Sequence, residues 1–477
     1  MVGVLLVLGS LIFLAFTKGE WNAPTATLVD PSPTLGANGT IDVRLRDTGT
    51  GLKRSRIELE SEGVRTVLVS EDYPAETWRR STVFDTTLSV PLAGGEIKIA
   101  EGPATIRVYA EDYSWLRWFR SRKPLLEQTI TIDLTPPNLE VLSREHYVNQ
   151  GGADLVLYRT ADDATRSGVT IGDYFFPGTA GLFADATIRV AFFAVPHDVG
   201  KNANARVVTE DEAGNLRALS LHAAVKQKHF PTKTLRLSQG FLERKVPEIL
   251  AANGLPDEPD LVKGYLYINR TMRRANELRI REVTRRSAPR PLWTAGFLRQ
   301  PNAAPSSGFG DHRSYVHDGE EIDTQTHLGF DLASVRRAEV TAVNTGRVVL
   351  AAPLGIYGNA VIIDHGLGIF SLYGHLSALK VQVDQDVARG EIVGRTGETG
   401  LAGGDHLHFS IMLYGIHINP VEWWDARWVE THVSSRLDSY PRADTRTNEV
   451  DREIDALDAD HKTKPDGDDA DEGTPRG

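Results

Sequence analysis

The chain begins with an unbroken apolar run, VGVLLVLGSLIFLAF (2–16), and then settles into alternation. IDVRLRD (41–47) and ADLVLYRT (153–160) put apolar and polar residues on opposite faces, the period of a half-buried strand. Two longer stretches, 24–59 and 137–171, share one order: proline, short strand, glycine-rich turn, alternating strand, polar turn. Their closing strands match as well, ATIRVYAEDYSWLRW (104–118) against ARVVTEDEAGNLRAL (205–219). Short alternating runs between turn signals predict β-sandwiches, and the EDEAGN ending resembles bacterial Ig-like repeats. We therefore expect two tandem Ig-like β-sandwich modules, 20–135 and 136–225, meeting at DLTPPN (133–138). Their role is either spacing or the binding of other envelope proteins.

The rhythm turns helical over SQGFLERKVPEILAANG and DLVKGYLYINRTMRRANELRIREVTRR, with Asp260 placed to cap the second helix. Residues 226–295 read as a helical linker. Its cationic face is either a solvated helix surface or a contact for an anionic cell-wall polymer. Over 296–425 short strands and glycine turns return, as in AEVTAVNTGRVVLAAP, NAVIIDHG, IFSLYGHLS and LHFSIML. This predicts a separate all-β domain and makes the whole chain mainly β.

Composition narrows the picture. A chain of 477 residues exceeds one ordinary domain, and 41% hydrophobic with 25% charged residues is globular. The absence of cysteine excludes disulfides, thiolate-bound zinc and a thiol nucleophile. The net charge is −11, and residues 442–477 hold 12 acidic against 6 basic residues, or −6 of it. With no hydrophobic periodicity, 440–477 reads as an acidic disordered tail. No basic stripe is present, so nucleic acid is not an expected partner. The run at 2–16 is short for a membrane span of about 17–25 residues. Trp21 and the lack of an A-x-A cleavage site nonetheless favour an uncleaved membrane anchor over 1–19.

The candidate chemistry lies in GDHLHFSIML (404–413). In a strand His406, His408 and Ser410 share one face, and Leu407, Phe409 and Ile411 share the other. Two half-exposed surface histidines would satisfy that pattern, as would a bound ion. THLGFDLAS (326–334) adds His327 and Asp331 at i, i+4, a common spacing by itself. Together they supply two imidazoles and a carboxylate, a donor set suited to a catalytic zinc with an open fourth position. LYGHLS (372–377) puts His375 in a turn at a strand end.

In this order the pieces resemble the lysostaphin-type (LytM-type) zinc metallopeptidases that cut bacterial cell-wall peptides. GFGDHRSY (308–315), HLGFD (327–331), YGNAVIIDHG (357–366), YGHLS (373–377) and TGETGLAGGDHLHFSI (396–411) carry the likeness, which covers about a quarter of the chain. The resemblance implies a duplicated-hybrid-motif (barrel-sandwich) fold and one zinc ion held by His327, Asp331 and His408. It implies catalytic roles for His375 and His406 beside it, and attack of zinc-bound water on peptide cross-links of peptidoglycan. Asn359 falls where the family often places a substrate-contacting polar residue. Ser410 stands where family members often carry Glu. The expected setting is the cell envelope, anchored at the inner membrane with the body in the periplasm or outside the cell. The alternative is a non-catalytic regulator or activator of a cell-wall hydrolase on the same fold. His365 is expected to brace a turn, and His312, His317 and His417 to decorate the surface. The polar segment 309–326 is expected as a surface loop, or a cover for the cleft.

Overall fold

The structure, a computed structural model, describes residues 22–30, 32–75, 81–92, 99–114, 123–143, 145–200 and 204–443. The expected anchor and the acidic tail beyond Ala443 lie outside the described residues. Among those described, no helix is long and apolar enough to cross a membrane.

The chain divides into two compact units. In the first, a sheet ordered Thr34–Leu35, Leu126–Ile132, Gly102–Asp112, Leu52–Ser61, Val64–Asp72 shares a core with a second sheet of Thr25–Leu28, Thr40–Arg46 and Asp85–Pro91. The alternation of IDVRLR explains the packing. Ile41, Val43 and Leu45 enter the core with Ile57, Ile106 and Val108, and Asp42, Arg44 and Arg46 do not.

The second unit holds the site. Its main sheet runs, in spatial order, Ala304–Ser307 (β1), Phe330–Ala333 (β2), Leu407–Leu413, Ile369–Leu376, Asn359–Gly366, Gly346–Pro353 and Asp386–Val387. In chain order Gly346–Pro353 is β3, Asn359–Gly366 β4, Ile369–Leu376 β5 and Leu407–Leu413 β6. These neighbours pair antiparallel throughout. One face packs on a small sheet of Glu339–Thr341, Ile392–Arg395 and Ala378–Leu379, with Val340 and Val393 meeting Val361, Ile363 and Phe409 in one core. The opposite face of β4, β5 and β6 carries Ile362, Leu372 and Met412.

That opposite face is covered by the segment expected to be a linker. Helix α1 (Gln239–Ala252) starts at Ser238, whose hydroxyl accepts from the Phe241 amide. Asp260 caps the next helix by accepting from Lys263 N, as its position in the sequence predicts. That helix leads through a π-helical stretch into α2 (Arg273–Val283). Leu242, Val246, Ile249 and Leu250 of α1 join Ile268, Met272 and Ile280 on the sheet. Burying the four α1 side chains contributes roughly 6–12 kcal/mol before entropy is counted. The segment is therefore part of the packing of the unit that holds the site. Residues 309–326 also depart from a loop. They form a hairpin, His312–His317 with Glu320–Thr326, and its first strand pairs parallel with Thr232–Arg236. Asp318 (φ 49°) and Gly319 (φ 88°) make the turn, the left-handed pair a two-residue hairpin favours.

Residues 139–160 and 167–208 share the hydrophobic core of this unit. Phe192 meets Trp423 at 5.8 Å and Trp293 at 6.2 Å between ring centroids. Asn149 Nδ2 donates to Glu422 Oε1 (2.6 Å). The fully buried Asp154 accepts from His146 Nδ1 (2.9 Å) and from Arg436, which also donates to Leu155 O (2.8 Å). Burial alone would raise Asp154, but His146, His432 and Arg436 together hold it below the ordinary carboxylate value. Arg436→Ala should therefore cost about 3 kcal/mol of stability by stripping a buried carboxylate of its cation. Denaturant unfolding of the variant against the parent measures this, and a loss under about 1 kcal/mol would mean that the pair contributes no more than a surface bridge.

Candidate metal centre and cleft

The site is built by register. Asp331 on β2 lies directly opposite His408 on β6, and Gly374 on β5 flanks His408 on the other side. Leu407, Phe409 and Ile411 point into the core, leaving His408 and Ser410 on the site face. A one-residue slip would exchange the two sets. His327 reaches back over β6 because Gly329 has no side chain, as a Cβ there would stand 2.6 Å from both His408 Cε1 and Ser410 Oγ.

Three donor atoms converge. His327 Nε2 lies 3.0 Å from Asp331 Oδ1 and 3.1 Å from His408 Nδ1, and His408 Nδ1 lies 3.1 Å from Asp331 Oδ1. The far side of each ring is tied. His327 Nδ1 donates to Gly308 O (2.8 Å), which leaves Nε2 as a lone pair. Ser410 Oγ donates to Leu328 O (2.7 Å), so it accepts from His408 Nε2 (3.3 Å) and leaves Nδ1 as the lone pair. Asp331 Oδ2 is occupied by Arg313 Nη2 (2.6 Å), which turns Oδ1 inward. The result is a group of acceptors facing one another with no proton between them, an arrangement that favours a cation. Ligands about 2.0–2.1 Å from a tetrahedral zinc stand roughly 3.3 Å apart, so the observed triangle needs only a slight expansion to fit.

His375 and His406 stand beside this group. Their ring centroids are 4.8 Å apart, and His375 is 5.8 Å from His408. His375 Nδ1 donates to Thr399 O and His406 Nδ1 to Gly404 O, each at 2.8 Å. His406 Nε2 lies 3.5 Å from Asp331 Oδ1. His375 adopts φ +63°, a left-handed conformation uncommon outside glycine and a form of strain found at functional sites.

Electrostatics separates the groups. Burial alone would raise Asp331, but its imidazole neighbours His327, His406 and His408 outweigh it and hold the carboxyl well below its usual range. Burial pushes His408 down to about 4 and, with the neighbouring His406 and His408, pushes His375 well below 6.5. Burial also opposes the charge on His406, but its contact with Asp331 raises it above the ordinary histidine value.

The five histidine and aspartate positions singled out from sequence therefore meet at one place. Asn359 is not among the residues lining the cleft, and its side-chain amide donates to Leu376 O (3.0 Å) at the end of β4. His365 is buried inside the sheet between Thr345 O and Ser371 Oγ, each at 2.8 Å. His417 is buried rather than on the surface, with Nε2 3.2 Å from Glu277 Oε2. Arg313 and Tyr357 were not anticipated. Tyr357 packs its ring 5.3 Å from His408 and donates to Glu277 Oε1 (2.8 Å). Arg313 lies inside the quoted GFGDHRSY stretch, but nothing in its spacing marks it as a partner of Asp331. A cleft of about 740 Å³ opens over the group, lined in part by Tyr265, Tyr315 and Tyr357.

Fold and site together define a β-sheet domain carrying a His–Asp–His donor group at its cleft. Residues 325–420 match Peptidase family M23, so the chain carries a peptidase domain of that family in its C-terminal part. The DD-carboxypeptidase/endopeptidase Mpg of Neisseria meningitidis serogroup B is 40% identical over 95 residues, 20% of this chain and 22% of that protein. The murein hydrolase activator EnvC of Escherichia coli is 36% identical over 106 residues, 22% of this chain and 25% of that protein. The chain thus spans about a quarter or less of the length of these relatives. The catalytic domain of lysostaphin from Staphylococcus simulans is 26% identical over 26% of this chain and 92% of its own, with a TM-score of 0.23.

The Glu277–Tyr357–His417 cluster gives a pH prediction. Burial opposes ionisation of Glu277, but His417 and the Tyr357 hydroxyl prevail and pull it from 4.5 to about 2. A depressed carboxyl stabilises the fold above its unfolded pKa and loses that contribution as pH falls from about 4.5 towards 2. Glu277→Gln should lower stability by about 2–3 kcal/mol at pH 7. The gap to the parent, followed by unfolding at stepped pH, should close over that acid window. A gap constant with pH would mean that the charge on Glu277 is not what stabilises the cluster.

Proposed function

We propose that this protein is a zinc-dependent metalloendopeptidase cleaving peptide cross-links of peptidoglycan in the bacterial cell envelope. The observation that carries this reading is the convergence of three lone-pair donors, 3.0–3.1 Å apart, beneath a cleft. His327, Asp331 and His408 would hold one zinc ion, and Arg313 and Ser410 would fix the orientation of Asp331 and His408. When bound, zinc supplies Lewis acidity toward a carbonyl oxygen and a water of lowered pKa.

The chain's own residues do the rest. The Nδ1 proton of His375 is committed to Thr399 O, so its Nε2 presents a lone pair that can take up a proton from the attacking water. His406 is the partner able to carry a proton to the departing amine or to stabilise charge on the carbonyl oxygen. Tyr357 closes one wall and keeps His408 from turning. The names of the Mpg and EnvC relatives support a peptidoglycan target and an envelope location, and the apolar run at 2–16 would tether the protein at the membrane.

The EnvC relative also supports a second reading, a non-catalytic activator of another hydrolase. Incubating the full-length protein with intact peptidoglycan, with and without a chelator, separates the two. Mass spectrometry of the released fragments should show chelator-sensitive loss of cross-linked dimers, and elemental analysis should find about one zinc per chain. Intact cross-links from protein that contains no zinc would favour the activator. His408→Ala should abolish both zinc and hydrolysis, and turnover by that variant at the parental rate would overturn the proposal. Ser410→Ala should keep the fold but weaken zinc binding by about 10- to 100-fold, because it loosens the ring of His408. Competition with a chromogenic chelator reads this directly.

A further inference from the structure

The chain is acidic overall, with a net charge of −11, but its cleft is not. Among the described residues Asp331 is the only carboxylate lining it, against Lys233, Arg236, Arg244, Arg273 and Arg313. Two of these cations are already spoken for: Lys233 Nζ pairs with Asp311 (2.6 Å) and Arg313 with Asp331 (2.6 Å). The other three form no close ion pair among the described residues. Arg273 donates to Asn269, through its backbone oxygen (3.1 Å) and its side-chain oxygen (2.6 Å), and its charge helps to hold Glu277 low, while Arg236 and Arg244 have no carboxylate partner among the described residues. All three come from outside the stretch matched to the peptidase family, on the strand Thr232–Arg236, on α1 and at the start of α2. Three guanidinium groups facing one cleft repel one another and gain most when an anion enters between them. Guanidinium matches a carboxylate in a two-pronged geometry that a carboxamide cannot reproduce.

We infer that Arg236, Arg244 and Arg273 form a carboxylate-reading wall. Through it the cleft selects peptides with free carboxylates near the scissile amide over the same peptides in amidated form. This rests on the peptidase reading above and adds the substrate class. An anionic polymer drawn to the wall without regard to peptide is the competing occupant.

The test uses the full-length, zinc-loaded protein and two soluble cross-linked peptides that differ only in carboxylate against carboxamide. The parent should favour the acidic peptide by at least about tenfold in kcat/KM, chiefly through KM. In R236Q/R244Q, two exposed positions where the change leaves the core untouched, that ratio should fall to within about threefold, and R236K/R244K should restore part of it. Raising salt from about 0.05 to 0.5 M should shrink the parental ratio without any substitution. Equal rates on the two peptides in the parent, or a ratio unmoved by R236Q/R244Q, would overturn the inference. If neither peptide is cut, the peptidase reading fails, and calorimetric binding of the same pair decides the wall separately. A preference for the acid form that R236Q/R244Q loses supports it. Equal affinities, or binding of a polyanion such as polyphosphate with no preference between the peptides, reject it.

Discussion

Asp331 faces His408 across two strands, and most of the site follows from that pairing. A carboxylate oxygen and two imidazole lone pairs held about 3 Å apart repel one another unless a cation lies between them. The surroundings resist the obvious escapes. Ser410 and Gly308 tie the outer nitrogens of His408 and His327, so neither ring can present its N–H inward without breaking a hydrogen bond. Arg313 anchors the second oxygen of Asp331. Gly329 gives the chain room to bring His327 over β6. The repulsion is stored in a rigid antiparallel sheet, where relief by a shift of register would bury the polar face.

The helices over the sheet extend this control outward. Glu277 of α2 holds the hydroxyl of Tyr357, whose ring lies against His408. The buried Lys245 of α1 donates to Glu398 O, one residue before the Thr399 carbonyl that fixes His375. The first support therefore reaches into the site through one intermediate residue, Tyr357, and the second through two, Glu398 and Thr399. A movement of α1 or α2 would be felt at His375 and His408 before it altered the sheet.

What the sequence revealed depends on how local each signal is. The strand face of His406, His408 and Ser410 is legible because a period of two fixes it within a few residues. Asp260 is legible as a cap for the same reason. The hairpin at 312–326 carried a local signal too, Asp318-Gly319 between alternating residues, but its Asp and Glu content resembled a loop. Arg313, Tyr357 and the burial of His417 were not legible. Each depends on a partner far away in the chain, such as Glu277 for both Tyr357 and His417, and no spacing rule links residues 80 or 140 positions apart. The helices misled differently. Their many arginines suggest a solvated surface, although the apolar stripe Leu242, Val246, Ile249 marks the face that packs on the sheet.

The division of labour within the second unit has a physical reason. Residues that meet the proposed ion must hold distances to a few tenths of an ångström, and strands paired on both sides provide that stiffness. Residues that meet a flexible, charged peptide gain from reach rather than stiffness, and long side chains on helices provide it. The sheet supplies Asp331 and His408, and the short segment leading into β2 supplies His327, while α1, α2 and the adjoining strand supply Arg244, Arg273 and Arg236. Because the second set lies outside the matched peptidase stretch, its charge can change without disturbing the first. The proposed chemistry and the inferred selectivity thus rest on separate elements that share one cleft, joined by the contacts of Tyr357 and Lys245.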